Sequence, residues 1–132
     1  MEETVRKTQA VLINSLSVIA TLSFGTYTSL AAGDSAAGQQ FFITHCGACH
    51  ATEPGVNKIG PSLAGVVGRK SGSAPGFNYS PALKEANITW DEKTLDQWLQ
   101  NPTGDVHGSR MFLTVPNAAD RQNAIAYLET LK

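Results

Sequence analysis

The stretch Cys46-Gly47-Ala48-Cys49-His50 contains both cysteines of the 132-residue chain. Two thiols three positions apart on a turn of helix can reach the two vinyl groups on one edge of a haem, and the histidine that follows then lies under the iron. Random placement of the only two cysteines in this pattern has odds on the order of one in a few thousand. The spacing therefore predicts one covalently attached haem c, with thioether bonds to Cys46 and Cys49 and with His50 as an iron ligand.

Two other readings of the cysteine pair remain open but are less favoured. A thioredoxin-like redox pair requires a βαβ context, which the sequence pattern lacks. A zinc site requires a fourth ligand nearby, and His45 and the distant His107 are poor candidates for that position.

The second axial position of the iron needs its own ligand. The chain has two methionines, and since Met1 is the initiator, Met111 is the candidate. A methionine thioether favours ferrous iron, raises the potential and closes the iron to oxygen and peroxide. The alternative is that Met111 does not bind iron and only fills an irregular space in the core. His107 is a rival ligand four residues earlier, although an isolated loop histidine is more often simply exposed to solvent.

The charge balance excludes some functions. Ten Lys and Arg residues stand against eleven Asp and Glu residues, for a net charge of −1, so the chain has no basic field with which to bind nucleic acid. The length supports one small domain, over residues 33–132. A core of roughly 100 residues is small enough to benefit from a covalently bound cofactor.

The first 32 residues differ in composition from the rest and predict an export signal. Arg6 and Lys7 precede an apolar span over residues 10–25, which is shorter than the roughly 20 residues a membrane-spanning helix needs. Ser29 and Ala31 supply small residues before a cut after Ala31. We expect cleavage, with an uncleaved anchor or a buried N-terminal helix as alternatives. Both exported forms place the domain in the periplasm.

The apolar periodicity predicts an all-α domain. Four helices are expected, over residues 35–44, 81–86, 90–100 and 118–131. Asp34, Ser80 and Thr89 are the expected N-caps of the first three helices, and Pro81 occupies a first helical position. The glycines and prolines of residues 55–76 predict loops. No segment alternates with the period of a strand.

Further motifs are distributed along the chain. They are Gly38 and Phe42, Gly60-Pro61-Ser62-Leu63, Gly68-Arg69-Lys70-Ser71-Gly72, Ala74-Pro75-Gly76-Phe77-Asn78-Tyr79-Ser80, Ile88-Thr89-Trp90, Asn101-Pro102, Gly108-Ser109-Arg110-Met111 and Ala126-Tyr127-Leu128. With the cysteine motif they make residues 33–132 resemble the mitochondrial-type class I cytochromes c of bacteria. The resemblance implies the class I cytochrome c fold, in which short helices and loops surround one haem. It also implies that the first and last helices cross where Gly38 meets Ala124 and Tyr127.

The resemblance implies roles for residues beyond the axial ligands. The carbonyl of Pro61 would accept a hydrogen bond from the second ring nitrogen of His50, as ligand histidines require. Four residues would surround the haem propionates: Arg69, Tyr79, Ser80 and Trp90. Without a haem, Arg69 would be an ordinary surface charge and Trp90 an ordinary core residue.

The function implied by the resemblance is the transfer of single electrons, without conversion of a substrate. The expected partners are membrane-bound or periplasmic redox enzymes, such as a quinol-oxidising cytochrome complex, a terminal oxidase or a periplasmic dehydrogenase. No stable oligomer is expected. The alternative is a haem enzyme or a protein that responds to a gas or to peroxide, in which Met111 leaves the iron.

The chain departs from the family at the lysines expected around the haem edge. The matching positions are Gln40, His45, Thr103, Gly104, Arg110, Pro116 and Asn117. Only Lys58 and Lys70 keep basic character in the flanking segments. We therefore expect weak long-range steering of partners and contact through a small apolar patch.

Overall fold

The computed structural model describes residues 32–132, so the first 31 residues, which hold nearly all of the predicted export signal, lie outside the described residues. The helices are α1 (Ser35–Phe41), which continues as a π-helix (Phe42–Cys46), α2 (Pro81–Glu85), α3 (Glu92–Gln100), α4 (Pro102–Asp105) and α5 (Ala118–Leu128). Over residues 32–132, extended pairing is limited to one isolated bridge between Lys70 and Thr89. The all-α prediction is confirmed.

None of the helices in the described range is both long enough and apolar enough to cross a membrane.

The first helix begins as predicted but ends differently. The Asp34 carboxylate accepts hydrogen bonds from the backbone N–H groups of Ala36 (2.8 Å) and Ala37 (3.2 Å), which makes it the N-cap. The predicted end at residue 44 is wrong, since the chain widens into the π-helix and the N–H of Gly47 reaches the carbonyl of Phe42 at 2.8 Å. This i to i−5 geometry is common at functional sites, and here it leads directly into the cysteine motif.

The first and last helices cross at Gly38, as expected. A Cβ on Gly38 would overlap the backbone carbonyl of Asn123 and lie 2.9 Å from the Cβ of Tyr127. The N–H of Asp34 donates to Oδ1 of Asn123 at 2.8 Å, which adds a polar contact at the same crossing. The absence of a side chain at position 38 is therefore what lets α1 and α5 approach.

The predicted start of α3 is wrong by two residues. Asp91, and not Thr89, is the N-cap: its carboxylate accepts from the N–H of Thr94, and the Thr94 hydroxyl accepts from the N–H of Asp91, both at 2.8 Å. This reciprocal capping box satisfies two backbone donors at once. Thr89 instead pairs with Lys70, and Trp90 precedes the helix.

The last two helices also differ from the prediction. The short helix α4 was not predicted; Asn101 caps it by accepting from the N–H of Gly104 at 3.1 Å. The predicted extension of α5 to residue 131 is wrong, since the helix ends at Leu128 and the carbonyl of Leu131 accepts a hydrogen bond from the N–H of Gly65. The residues after Leu128 therefore leave the helix, and Leu131 contacts the loop that contains Gly65.

Ten buried apolar residues form a core cluster, contributed by the π-helix, α3, α5 and the loops that connect the helices. Its members are Phe42, Val66, Trp90, Leu95, Trp98, Leu99, Val106, Val115, Ile125 and Leu128. Of the stripe predicted on the last helix, Ala124 and Leu128 are buried, whereas Tyr127 and Leu131 are half-buried. The sequence pattern missed Ile125, which is only 2% exposed.

The predicted loops over residues 55–76 are confirmed, and Asn57 connects two of them. Its Oδ1 accepts from the N–H of Ser62 at 2.9 Å, and its Nδ2 donates to the carbonyl of Pro75 at 3.0 Å. The first bond fixes the residue that follows Pro61, and the second ties this loop to the loop at Pro75.

Candidate haem site

His50 is held in a defined orientation directly after the cysteine turn. Its Nδ1 lies 2.8 Å from the carbonyl oxygen of Pro61. Since a carbonyl only accepts, Nδ1 carries the proton and Nε2 keeps its lone pair. Burial lowers the pKa of His50, with a smaller contribution from Lys58, and so favours the neutral imidazole that binds a metal. The ring is thus prepared to ligate iron through Nε2.

Gly60 closes one side of the His50 ring, a role that sequence reasoning missed. A Cβ at position 60 would overlap the ring, lying 2.7 Å from Nδ1. The N–H of Gly60 also donates to the carbonyl of Cys49 at 2.8 Å. The glycine in the Gly60-Pro61 pair was the available signal, because close backbone approach to a ring is a common reason for glycine.

Both cysteines are half-buried on one turn, where the N–H groups of Cys49 and His50 donate to the carbonyl of Cys46 at 3.0 and 2.9 Å. Burial, with the neighbouring Cys49, raises the pKa of Cys46 to about 11. A redox-active dithiol requires the opposite shift. Over residues 32–132 there is also no cluster of three or more His, Cys, Asp or Glu that could hold a metal ion. The redox-pair and zinc alternatives therefore lack support.

Arg69 presents a buried donor without a partner. Two of its guanidinium nitrogens donate to the carbonyls of Ser62 and Ala64, each at 2.9 Å. Its Nε is buried and has no hydrogen-bond partner within the described part of the chain. Burying such a donor is unfavourable unless an acceptor forms a hydrogen bond with it. An anionic oxygen, such as a haem propionate, fits this position.

Tyr79 and Trp90 lie beside Arg69. Burial raises the pKa of Tyr79, and the adjacent guanidinium of Arg69 partly offsets the increase. The hydroxyl of Tyr79 accepts from the N–H of Ala74 at 3.2 Å, which leaves its own proton free to donate. The N–H of Trp90 donates to the carbonyl of Arg69 at 2.9 Å. The structure thus brings three of the four predicted propionate residues together.

Ser80, the fourth of these residues, is buried and caps α2, as the sequence predicts for that helix. Its hydroxyl oxygen accepts from the N–H of Leu83 at 3.3 Å. The hydroxyl proton of Ser80 remains available for a second bond.

Met111 and His107 lie in different surroundings. Met111 is half-buried and packs against the core cluster, as Cys46 also does. His107 is exposed and lines a surface groove with Ala82 of α2 and with Ala86 and Ile88, which follow that helix. The structure therefore associates Met111, and not His107, with the interior that contains the cysteine motif.

Comparison with known proteins agrees with this arrangement. Residues 35–132 match the family model described as Cytochrome c. The chain is 48% identical over 103 residues to cytochrome c2 of Rhodoblastus acidophilus, covering 76% of this chain and 95% of that one. It is 44% identical over 101 residues to cytochrome c of Euglena viridis, covering 76% of this chain and 99% of that one.

A solved structure is similar as well. Cytochrome cH from Methylobacterium extorquens superimposes with a TM-score of 0.69 at 43% identity, over 74% of this chain and 99% of that one. The match includes the helical architecture and the two cysteines that hold one covalent haem c in this family. The chain therefore belongs to the cytochrome c family, with the class I cytochrome c fold and one haem c bound through Cys46 and Cys49.

Proposed function

We propose that this protein carries single electrons between redox enzymes, with His50 and Met111 as the axial ligands of its haem iron. The observation that carries the proposal is the bond between Nδ1 of His50 and the carbonyl of Pro61, at 2.8 Å. It orients the imidazole and leaves Nε2 as the ligand atom. When bound, the haem supplies an iron that cycles between ferric and ferrous states.

The residues that would hold the haem would keep its iron in one coordination state. Gly60 and Pro61 fix the His50 ring, and the half-buried Met111 occupies the opposite side in this proposal. A protein that keeps both axial positions filled has no site for a substrate. The proposal is therefore that of a carrier and not of an enzyme.

Arg69, Tyr79, Ser80 and Trp90 would bind the haem propionates. The argument rests on the buried Nε of Arg69, which lacks a partner in residues 32–132, and on the available protons of the two hydroxyl groups. These donors would offset the cost of burying carboxylates.

The test is a redox titration of the matured holoprotein with its optical spectrum recorded. A ferric haem with a methionine ligand has a weak sulfur-to-iron absorption band in the far red. We expect this band in the oxidised protein and a reversible one-electron transition. Absence of the band, together with binding of carbon monoxide or peroxide to the resting protein, would instead support the haem enzyme or gas-responsive alternative.

We propose that the protein works in the periplasm after export and removal of residues 1–32, with an uncleaved anchor as the alternative. The support is the apolar span over residues 10–25 followed by Ser29 and Ala31. Mass spectrometry of the periplasmic protein should show a chain that begins near Gly33. Recovery of the full-length chain in the membrane fraction would contradict cleavage.

The proposed partners are membrane-bound or periplasmic redox enzymes that present an apolar contact surface. Two large apolar side chains are exposed beside the ligand residues: Ile59, next to Gly60, is 80% exposed, and Phe112, next to Met111, is 78% exposed. Single exposed apolar side chains are common on protein surfaces, so the support comes from the position of these two beside the proposed haem site. Phe112 directly follows the proposed ligand Met111, and Ile59 directly precedes Gly60, which packs against the ring of His50.

A further inference from the structure

Arg121 is a buried cation outside the proposed haem site. It lies in the second turn of α5 and is only 7% exposed. Burying a guanidinium is unfavourable unless its donors are paired, so the partners of such a residue indicate its role. No pattern in the sequence marked this residue.

The partners of Arg121 belong to two other parts of the fold. Its Nε donates to Oδ1 of Asp96 at 2.7 Å, which joins α5 to α3. One of its terminal nitrogens donates to the carbonyl oxygens of Val115 and Pro116, both at 2.9 Å. A single side chain thus connects two helices to the chain that leads from Met111 into α5.

The Met111 segment (residues 111–116) is held at both ends. At its start the N–H of Met111 donates to Oγ of the buried Ser109 at 3.2 Å. At its end the N–H of Val115 donates to the carbonyl of Leu99 at 2.7 Å, and Arg121 binds the carbonyl of Val115.

The middle of the segment is not held in this way. Residues 112–114 are exposed and make no hydrogen bond to other residues of the described range 32–132. An extended residue covers about 3.3 Å, so the four residues from Met111 to Val115 span at most about 13 Å. The position of Met111 therefore depends on where Val115 is fixed.

We infer that Arg121 is a positioning residue for Met111. By binding the carbonyls of Val115 and Pro116, it fixes the end of the Met111 segment against α3 and α5 and so opposes displacement of the thioether from the iron. The inference rests on the proposed ligation by Met111 and assigns the stability of that ligation to a residue that does not contact the haem.

The test compares two variants of the holoprotein. In Arg121→Lys, a single ammonium group replaces the planar guanidinium. It does not reach Asp96 and both carbonyl oxygens at the same time. In the matched control Asp96→Asn, an amide oxygen still accepts from Nε of Arg121, and the bonds to Val115 and Pro116 remain. Imidazole is titrated into the ferric protein as a competing ligand, and the free energy of unfolding is measured in denaturant.

We expect imidazole to bind Arg121→Lys about tenfold more tightly than the parent, because hydrogen bonds from a charged donor to the segment are lost. Binding to Asp96→Asn should change by less than about twofold, even where its unfolding free energy falls, since the segment stays attached. If imidazole bound both variants more tightly, in proportion to their loss of unfolding free energy, the role of Arg121 would be merely structural and the inference would be overturned.

The parent spectrum separates this inference from the proposed function. A parent without the sulfur-to-iron band would overturn ligation by Met111, and the positioning role with it. A parent with the band, and an Arg121→Lys variant with unchanged imidazole affinity, would overturn the positioning role alone.

Amide hydrogen exchange in the parent protein tests the same inference without a variant. We expect the amide of Val115 to exchange as slowly as that of Ile125 in α5, whereas residues 112–114 should exchange quickly. Exchange at Val115 as fast as at residues 112–114 would mean that its end of the segment opens freely, which would overturn the inference.

Discussion

Individual residues set the orientation of the proposed iron ligand through their backbone atoms. Nδ1 of His50 lies 2.8 Å from the carbonyl oxygen of Pro61, and the neighbouring Gly60 leaves no room for a Cβ beside the ring. Together the hydrogen bond and the close packing restrict rotation of the imidazole. Sequence reasoning anticipated the first contact through the family resemblance and missed the second, which arises only when residues ten positions apart pack together.

Gly60→Ala should displace the His50 ring. We expect a loss of roughly 1–3 kcal/mol in unfolding free energy from overpacking, together with an altered ferric spectrum. The matched control is Gly55→Ala, where φ is +75° but no atom lies within 4 Å of the added Cβ. That variant should lose about 1 kcal/mol from backbone strain alone and keep the parent spectrum. An unchanged spectrum in Gly60→Ala would contradict the contact.

Arg69→Leu should lower the midpoint potential. A buried positive charge near the iron disfavours the ferric state, so its removal stabilises that state. We expect a fall of about 60 mV, equivalent to a tenfold change for one electron. The control Lys70→Gln removes an exposed positive charge one residue later, which solvent and salt screen. Equal shifts in the two variants would argue against a propionate contact for Arg69.

Helices of this protein are defined as much by contacts as by their caps. Asp34 and Ser80 act as N-caps where the sequence predicted them, because capping depends on residues within one turn. The length of α5 does not follow the same rule, since the chain leaves the helix at Leu128 and Leu131 bonds to Gly65. After Leu128 the chain continues in i to i−3 turns, and Leu131 contacts a distant loop where local periodicity predicted more helix.

Gly38→Ala should destabilise the crossing of α1 and α5. In an exposed helix, replacing glycine with alanine would raise the free energy of unfolding by about 1 kcal/mol. Here the added Cβ would overlap the carbonyl of Asn123, so the substitution should lower the free energy of unfolding. We expect a net loss of about 1–3 kcal/mol in unfolding free energy, measured in denaturant. Gln39→Ala, on the exposed face of the same helix, should be neutral within about 0.5 kcal/mol. A stabilised Gly38→Ala protein would contradict the close approach.

The charge of the whole molecule bears on how it meets its partners. With a net charge of −1 and few lysines at the positions expected around the haem edge, long-range attraction is weak. In the proposed function, the exposed side chains of Ile59 and Phe112 would provide apolar contact instead. Such contact acts only at short range and is not screened by salt.

The rate of electron transfer with the physiological redox partner should therefore depend little on salt. Between about 10 mM and about 150 mM salt, we expect the bimolecular rate to change by less than about twofold. The control is the double variant Gln40→Lys and Asn117→Lys, which restores two positive charges and should introduce a salt dependence. A steep fall in the parent rate with added salt would contradict apolar docking.

The sequence by itself determined the cofactor, the helical class and most of the helix starts. The haem attachment motif occupies five consecutive residues, and N-caps act within one turn, so neither depends on the rest of the fold. Two helix boundaries were still predicted wrongly. The N-cap of α3 is Asp91, which forms a capping box, and not Thr89; and α1 continues as a π-helix up to Cys46.

Only the tertiary structure decided how distant residues combine. It placed Gly60 against His50, left Nε of Arg69 buried without a partner in the described range, and set Arg121 between α3 and the Met111 segment. Arg121 and Asp96 are 25 positions apart, and no periodic pattern relates them. Such contacts depend on the packing of whole helices and loops, and that packing is a property of the complete chain.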